Sequence, residues 1–226
     1  MKEWLTRTEL LIGKENIEKL EKASVAVFGC GGVGSYVIEG LVRSGIGTLI
    51  IVDNDTISIT NINRQLMADT TNVGELKVEA LRKRILQINP DIQLHTVATF
   101  ATKSTLSTIL SNYPVDYVVD AIDSVSSKLD LIEYCYKKKI PILSCMGTGN
   151  KLDPTQFEIT DITKTSVCPL AKVIRKEVRA RNIPHLKVLY SKEIPKKNPF
   201  PASISFVPSV AGLIIAGEVI HDILDI

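Results

Sequence analysis

The sequence predicts an α/β protein: a doubly wound, Rossmann-like, mostly parallel sheet with an antiparallel extension at its C-terminal end. Three observations predict it. Short β-branched runs alternate with helical patterns through the first two thirds of the chain, as in a parallel sheet covered on both faces. The first of those runs feeds a glycine-rich loop that opens directly into a helix. Beyond Asn150 the composition changes, and 156–162 alternates apolar and polar residues as a half-exposed strand does.

In chain order the predicted strands are 24–28, 48–52, 93–98, 116–121 and 140–144, with helices between them at 34–43, 73–88, 103–111 and 125–138. The second helix has the clearest pattern, since Val78, Leu81, Ile85 and Ile88 recur at helical spacing and Asn72 with Glu75 resembles a capping box. Past the alternating strand, 169–181 reads as a helix, and 191–201, with three prolines and three lysines, as a mobile surface loop. The longest apolar run, 207–220, is broken by Pro208, Ser209 and Glu218; it is expected to be a buried helix, not a membrane span. Residues 1–226 are expected to form one domain, with 151–226 as a C-terminal extension carrying the basic helix and loop.

Composition narrows the function classes. At 226 residues, 45% hydrophobic and 23% charged, the chain is neither disordered nor collagen-like and needs no disulfide or metal staple. Cys30, Cys135, Cys145 and Cys168 form no C-x-x-C pair, so neither a tetrathiolate zinc site nor a dithiol redox motif is expected, and a reducing cytoplasm fits. The start, Met1-Lys2-Glu3-Trp4, lacks a secretory pattern. The net charge of +2 conceals an asymmetry: from Lys164 to Lys197 there are ten Lys or Arg against Glu177 and Glu193. One-sided basic charge is the usual footprint of a polyanionic partner.

The strand 24–28 runs into Gly29-Cys30-Gly31-Gly32-Val33-Gly34, a G-x-G-x-x-G followed at once by a helix. Glycines permit the tight turn and a close approach of backbone to phosphate, while the helix start offers unpaired N–H groups and a positive dipole. Asp53 ends the next strand, where a carboxylate can hold ribose hydroxyls. The same loop serves NAD in dehydrogenases, so the residues that follow must separate the cofactors.

They form a polar loop, Asn54 to Gln65, at the carboxyl end of a central strand, where open α/β sheets bind ligands. From there Arg64 can reach a phosphate. Lys77 falls in the first turn of a predicted helix, a position the dipole disfavours unless an anion is near, although a solvated surface lysine is the plainer reading. Asp120 and Asp123 close the fourth strand, where one of them can hold Mg²⁺ against a triphosphate or cap the next helix. Two cations, a glycine loop and acids on one rim favour nucleotidyl transfer over hydride transfer, because charge that develops on phosphate needs neutralising.

These residues carry a family resemblance. The run 29–35, Val52-Asp53-Asn54-Asp55, Thr60-Asn61-Ile62-Asn63-Arg64-Gln65 and Gly74-Glu75-Leu76-Lys77 resemble the adenylation domain of the ubiquitin-activating-enzyme-like superfamily, ThiF, MoeB and HesA among them. Runs 119–125, 153–156, 160–164, 169–171 and 203–212 are similar to its tRNA threonylcarbamoyladenosine dehydratase subfamily. That resemblance implies ATP-dependent, AMP-forming activation and cyclisation of the carboxylate of a modified base beside the anticodon of tRNA. Activation of the C-terminus of a ubiquitin-like or sulfur-carrier protein is the alternative.

It further implies that Gly29, Gly31, Gly32 and Gly34 line the phosphates and Asp53 holds the ribose. Asp55, Asn61, Arg64, Gln65 and Lys77 are implied at the polyphosphate, and Asp123 on the Mg²⁺ side. Arg7 resembles the arginine that members of the superfamily send across a homodimer to the partner's ATP, so a homodimer is implied. A monovalent cation and a docking sulfur-transfer partner stay open. A zinc site is not expected, and the chain reads as cytoplasmic, peripheral to a membrane at most. Where the subfamily commonly has Asp before Pro-Leu-Ala, this chain has Cys168. Its thiol sits at a helix start among Lys164, Lys172 and Arg175, which raises a thioester route as a lesser alternative. Lys172, Arg175, Lys176 and Arg179 share one helix face, predicted to grip tRNA phosphates beside an apolar stripe of Leu170, Val173, Ile174 and Val178.

Overall fold

A computed structural model describes residues 2–226. Its elements are α1 (Thr6–Ile12), α2 (Lys14–Lys22), β1 (Ser24–Phe28), α3 (Gly34–Arg43), β2 (Thr48–Val52), α4 (Lys77–Ile88), β3 (Gln93–Val97) and α5 (Lys103–Asn112). They continue with β4 (Tyr117–Asp120), α6 (Val125–Lys138), β5 (Ile142–Cys145), β6 (Phe157–Asp161), α7 (Pro169–Ala180), β7 (Lys187–Ser191) and α8 (Phe206–Leu224). The seven strands form one sheet in the order β3-β2-β1-β4-β5-β7-β6. All neighbours are parallel except β6, which runs antiparallel to β7.

Alternation along the central strands splits the core into two layers. Val25 and Val27 of β1, with Leu49 and Ile51 of β2, face a cluster that includes Val37 and Leu41 of α3, Val78 and Leu81 of α4, and Ala211 and Ile215 of α8. Ala26, Phe28, Ile50 and Val52 point the other way, onto Leu106 and Ile109 of α5 and Leu131 of α6. A third cluster packs α7 on the extension through Ala171, Ile174, Val178, Val188 and Tyr190. Helix α8, the one helix among the described residues with the length and hydropathy of a membrane span, buries Val207, Ala211, Ile215 and Val219 in the first layer.

Several expectations needed correction. Helix α4 starts at Lys77 rather than Val73, because the stretch before it is held against the polar loop. The amide of Ile57 donates to the Glu75 carbonyl, that of Gly74 to the Ile57 carbonyl and that of Lys77 to the Asp55 carbonyl. Asn72 and Glu75 therefore form no capping box. Asn72 closes a turn with Asp69 and Met67, and Glu75 pairs with Lys83 at 2.6 Å. Strand β7, which separates β6 from β5, was not anticipated, nor were α1 and α2. On α7 the buried stripe is Ala171, Ile174 and Val178, and Val173 is exposed.

Candidate active site

A cleft of about 470 Å³ opens at the carboxyl ends of β1, β2 and β4. This is the point where the strand order reverses direction, with β2 on one side of β1 and β4 on the other, and where ligands bind in open α/β sheets. Gly29, Gly31, Gly32, Asp53, Asp55, Asn61, Arg64, Gln65, Lys77 and Asp123 all line it, so the structure gathers residues up to 94 positions apart on one rim. Gly34 does not line the cleft but shapes it: a Cβ there would lie 1.8 Å from the Gly29 carbonyl oxygen. Gly29, at φ 92°, would put a Cβ 2.6 Å from the Ala121 oxygen. The loop can close onto the β4 end only with glycine at both positions.

Asp53 has a role the sequence reading missed. Its Oδ2 accepts the Cys30 amide at 2.6 Å and its Oδ1 the Asp55 amide at 2.8 Å, so it pins the glycine loop to the polar loop. Burial, with the Asp53 carboxylate beside it, pushes the Cys30 thiol well above its ordinary pKa, so that group stays a neutral part of the wall.

Lys77 is no solvated surface lysine. It is 6% exposed, its Nζ donates to Asp55 Oδ2 at 2.6 Å, and it stands 3.9 Å from Asp53 Oδ1. Two carboxylates thus offset its conflict with the dipole of α4. Arg64 gives one nitrogen to the Thr60 carbonyl and to Asn63 Oδ1, both at 2.8 Å, and has no carboxylate partner among the described residues. Gln65 is 6% exposed, and its Oε1 finds no hydrogen-bond donor there. A buried acceptor without a partner in the cleft wall suits a ligand that brings the donor.

The two candidate metal-side acids separate. Asp120 is fully buried, and Lys128 Nζ at 2.8 Å, Ser144 Oγ at 2.5 Å and the Ile122 amide at 3.1 Å use its oxygens. Asp123 is exposed and lines the cleft. No cluster of three potential metal ligands occurs among the described residues. Asn54, Phe100, Ser127 and Thr148 also line the cleft, and the motif spacing did not single them out. Phe100 follows β3 and Thr148 follows β5, both at strand ends, which is the signal that could have found them.

Arg7 on α1 is exposed and away from its own chain's cleft. Cys168 is 3% exposed and packed with Met146, Ala171 and Ile174, outside the cleft lining, so the lesser thioester alternative has no accessible thiol there. On the basic face Lys172, Lys176 and Arg179 are exposed, whereas Arg175 turns inward to the Thr165 carbonyl and hydroxyl, both at 2.7 Å.

This geometry defines a class: a doubly wound α/β protein whose switch-point cleft is equipped for the polyphosphate of a nucleotide. A model of the ThiF family matches residues 5–226, and the chain belongs to that family. It is 42% identical to the tRNA threonylcarbamoyladenosine dehydratase of Bacillus subtilis (strain 168), over 97% of this chain and 94% of that one. It is 40% identical to the Escherichia coli (strain K12) protein of the same name, over 76% of this chain and 64% of that one. The crystal structure of the E. coli enzyme, TcdA, in complex with ATP gives a TM-score of 0.92 at 33% identity, covering 97% of this chain and 93% of that one.

Proposed function

We propose that this chain uses ATP to activate the carboxylate of threonylcarbamoyladenosine in tRNA and releases the cyclised base, AMP and pyrophosphate. The observation that carries the reading is an Arg64 without a carboxylate partner among the described residues together with a buried Lys77, both lining the cleft beside the glycine loop, in a chain whose relatives are dehydratases of that substrate. An ATP complex of TcdA supports the nucleotide.

In this reading the glycine loop and the start of α3 hold the phosphates, Asp53 the ribose, and Asp55, Asn61 and Gln65 the polar edge. A carboxylate oxygen of the substrate attacks the α-phosphorus, the bond to the β-phosphate oxygen breaks and pyrophosphate leaves. Arg64 and Lys77 offset the charge that grows on the phosphates. The tethered carbamoyl group then attacks the acyl carbon, AMP departs with the former carboxylate oxygen, and a proton passes to solvent. Tethering supplies the proximity, so no enzyme nucleophile is needed. One carboxylate with the substrate's own phosphate oxygens suits Mg²⁺, which keeps several waters, and Asp123 is the group that would hold it. Bound there, Mg²⁺ would neutralise charge on the triphosphate.

The whole chain, 1–226, acts as one adenylation domain, and its 151–226 extension meets tRNA through Lys172, Lys176 and Arg179. We assign the chain to the cytoplasm with its substrate, as a homodimer in which Arg7 reaches the partner's ATP. Leu10 and Leu11, 77% and 84% exposed on the same helix, support a covered surface there. Neither a monovalent cation nor a sulfur-transfer partner enters the proposal.

The test is to incubate purified protein, ATP and modified tRNA, digest the tRNA and weigh the nucleoside. A product lighter by one water is expected. An unchanged nucleoside, or pyrophosphate exchange that requires a small carrier protein instead of tRNA, overturns the reading.

A further inference from the structure

The segment between β7 and α8 is tied across the mouth of the cleft at two places. Asn150, at φ 61°, grips it from one side: its amide donates to the Ala202 carbonyl at 2.7 Å, and its Oδ1 accepts the Ala202 amide at 2.7 Å and Asn198 Nδ2 at 3.1 Å. The Lys196 amide donates to the Asn150 carbonyl at 2.8 Å. From the other side Asn63 Nδ2 donates to the Ser203 carbonyl at 3.0 Å. Between these anchors Pro201, Ala202 and Ser203 line the cleft, while Phe200 is 79% exposed and Lys196 and Lys197 face solvent. The strap thus presents an aromatic ring and two cations outward, chemistry suited to a nucleotide, and closes the cleft inward.

Asn63 itself does not line the cleft, yet its other amide atom touches Arg64, which does. Asn63 Oδ1 accepts a hydrogen bond from Arg64 at 2.8 Å. A single exposed side chain therefore bridges the strap and the cation without a carboxylate partner. An amide suits this post, because it offers one donor and one acceptor, and a carboxylate there would lack the donor and compete with phosphate for the guanidinium.

We propose that Asn63 is a positioning residue that couples the 196–203 strap to Arg64, so that fixing Arg64 on a triphosphate steadies the strap, and fixing the strap on the modified nucleotide aims Arg64. The inference rests on the assignment of the cleft to ATP and modified tRNA. Such a coupling is reciprocal by thermodynamic necessity. ATP alone must then reach the strap through Asn63, and this can be measured without tRNA.

The experiment follows amide hydrogen exchange of peptides spanning 196–204, with and without saturating ATP and Mg²⁺, in the full chain and its variants. In the wild type ATP is expected to slow exchange several-fold. In Asn63→Ala the slowing is expected to vanish while the Kd for ATP changes by no more than about threefold. Asn63→Asp, which keeps the acceptor for Arg64 and loses the donor to Ser203, should uncouple the strap in the same way. Asn150→Gly, which tolerates the same φ, should speed exchange with or without ATP. Retained slowing in both Asn63 variants overturns the coupling and points to direct contact between nucleotide and strap. No slowing in a wild type that binds ATP also overturns it. If the wild type binds no ATP, the assignment of the cleft has failed instead, which the water-loss assay reports separately.

Discussion

Two Asp–Lys pairs lie at the carboxyl ends of neighbouring parts of the same sheet, and they do opposite things. At the end of β4, Asp120 and Lys128 are both fully buried, and the ammonium also donates to the Cys145 carbonyl at 3.0 Å. Every strong donor and acceptor there has a partner within the protein. At the end of β2, Lys77 has a side chain 7% exposed, but its partner Asp55 is 59% exposed, and the pair faces the cleft. The first pair fixes where the 121–124 turn stands, since Asp120 Oδ1 holds the Ile122 amide. The second holds the Lys77 ammonium at the wall of the cleft. Completeness of partnering, more than the identity of the residues, separates the two pairs.

The sharpest way to break the contrast is to remove one partner from the closed pair. Lys128→Met leaves Asp120 buried without a counter-charge, and we expect a loss of about 3–5 kcal/mol in urea unfolding. Adding Asp120→Leu to that variant should return much of the loss; if the double variant is no more stable than the single, the pair is not a self-contained unit.

The cation of the open pair, and Arg64 beside it in the cleft wall, should respond in activity instead of stability. Arg64→Ala and Lys77→Met should each lower turnover by roughly 10²–10³, the range seen when one preorganised group at a charged transition state is lost. Their melting temperatures should stay close to wild type, and tRNA binding should be nearly intact. Unchanged turnover removes the residue from the mechanism.

On the basic helix the same distinction predicts a smaller effect. Replacing Lys172, Lys176 or Arg179 by Ala should reduce the slope of log K against log salt for tRNA binding by about 1 for each phosphate that is no longer neutralised. Arg175→Ala should instead loosen the Thr165 turn with little change in slope. An equal slope change for Arg175 would show that the side chain swings out to the nucleic acid.

A third ion pair sets the low end of the scale. Burial alone would raise the Glu39 carboxyl, but hydrogen bonds from Arg84 and Arg43 hold it below its ordinary value. Its contribution to stability is therefore complete above the ordinary carboxylate range, about pH 4.3, and is lost as pH falls through its lowered folded value. Glu39→Gln should cost a little melting temperature at neutral pH, and the gap to wild type should close toward pH 3. A gap that widens in acid contradicts this.

The central fold was readable because β1 and β2 are short β-branched runs, each followed by a glycine-rich or polar loop, and because the stripe on α4 marks its buried face. Helix α1 was not, since it buries no residue and leaves Leu10 and Leu11 in solvent, so no apolar period marks it, and α2 carries only the short pair Ile17 and Leu20 on its buried face. Strand β7 was hidden for a different reason: Val188, Leu189 and Tyr190 are a buried run like those of β1 and β2, but squeezed between basic and proline-rich segments that mask it. At the site, the placing of the glycine loop, Asp53 and Arg64 on one rim was legible from their spacing, whereas Lys77 read more plainly as a solvated surface lysine until its contacts with Asp55 and Asp53 were seen. The sorting of Asp120 from Asp123 was not, because the deciding partners, Lys128 and Ser144, become neighbours only when β4, β5 and α6 pack. The inward turn of Arg175 and the burial of Cys168 are likewise tertiary facts.

A cleft that makes a mixed anhydride between a substrate carboxylate and the α-phosphate of ATP must send a carboxylate oxygen out on AMP. The direct measurement uses tRNA whose threonylcarbamoyl carboxylate carries ¹⁸O, with unlabelled ATP, and weighs the nucleotide released during cyclisation. AMP bearing one ¹⁸O is expected, together with pyrophosphate. Unlabelled AMP, or ADP with phosphate, would mean that the bond is made elsewhere and the account is wrong.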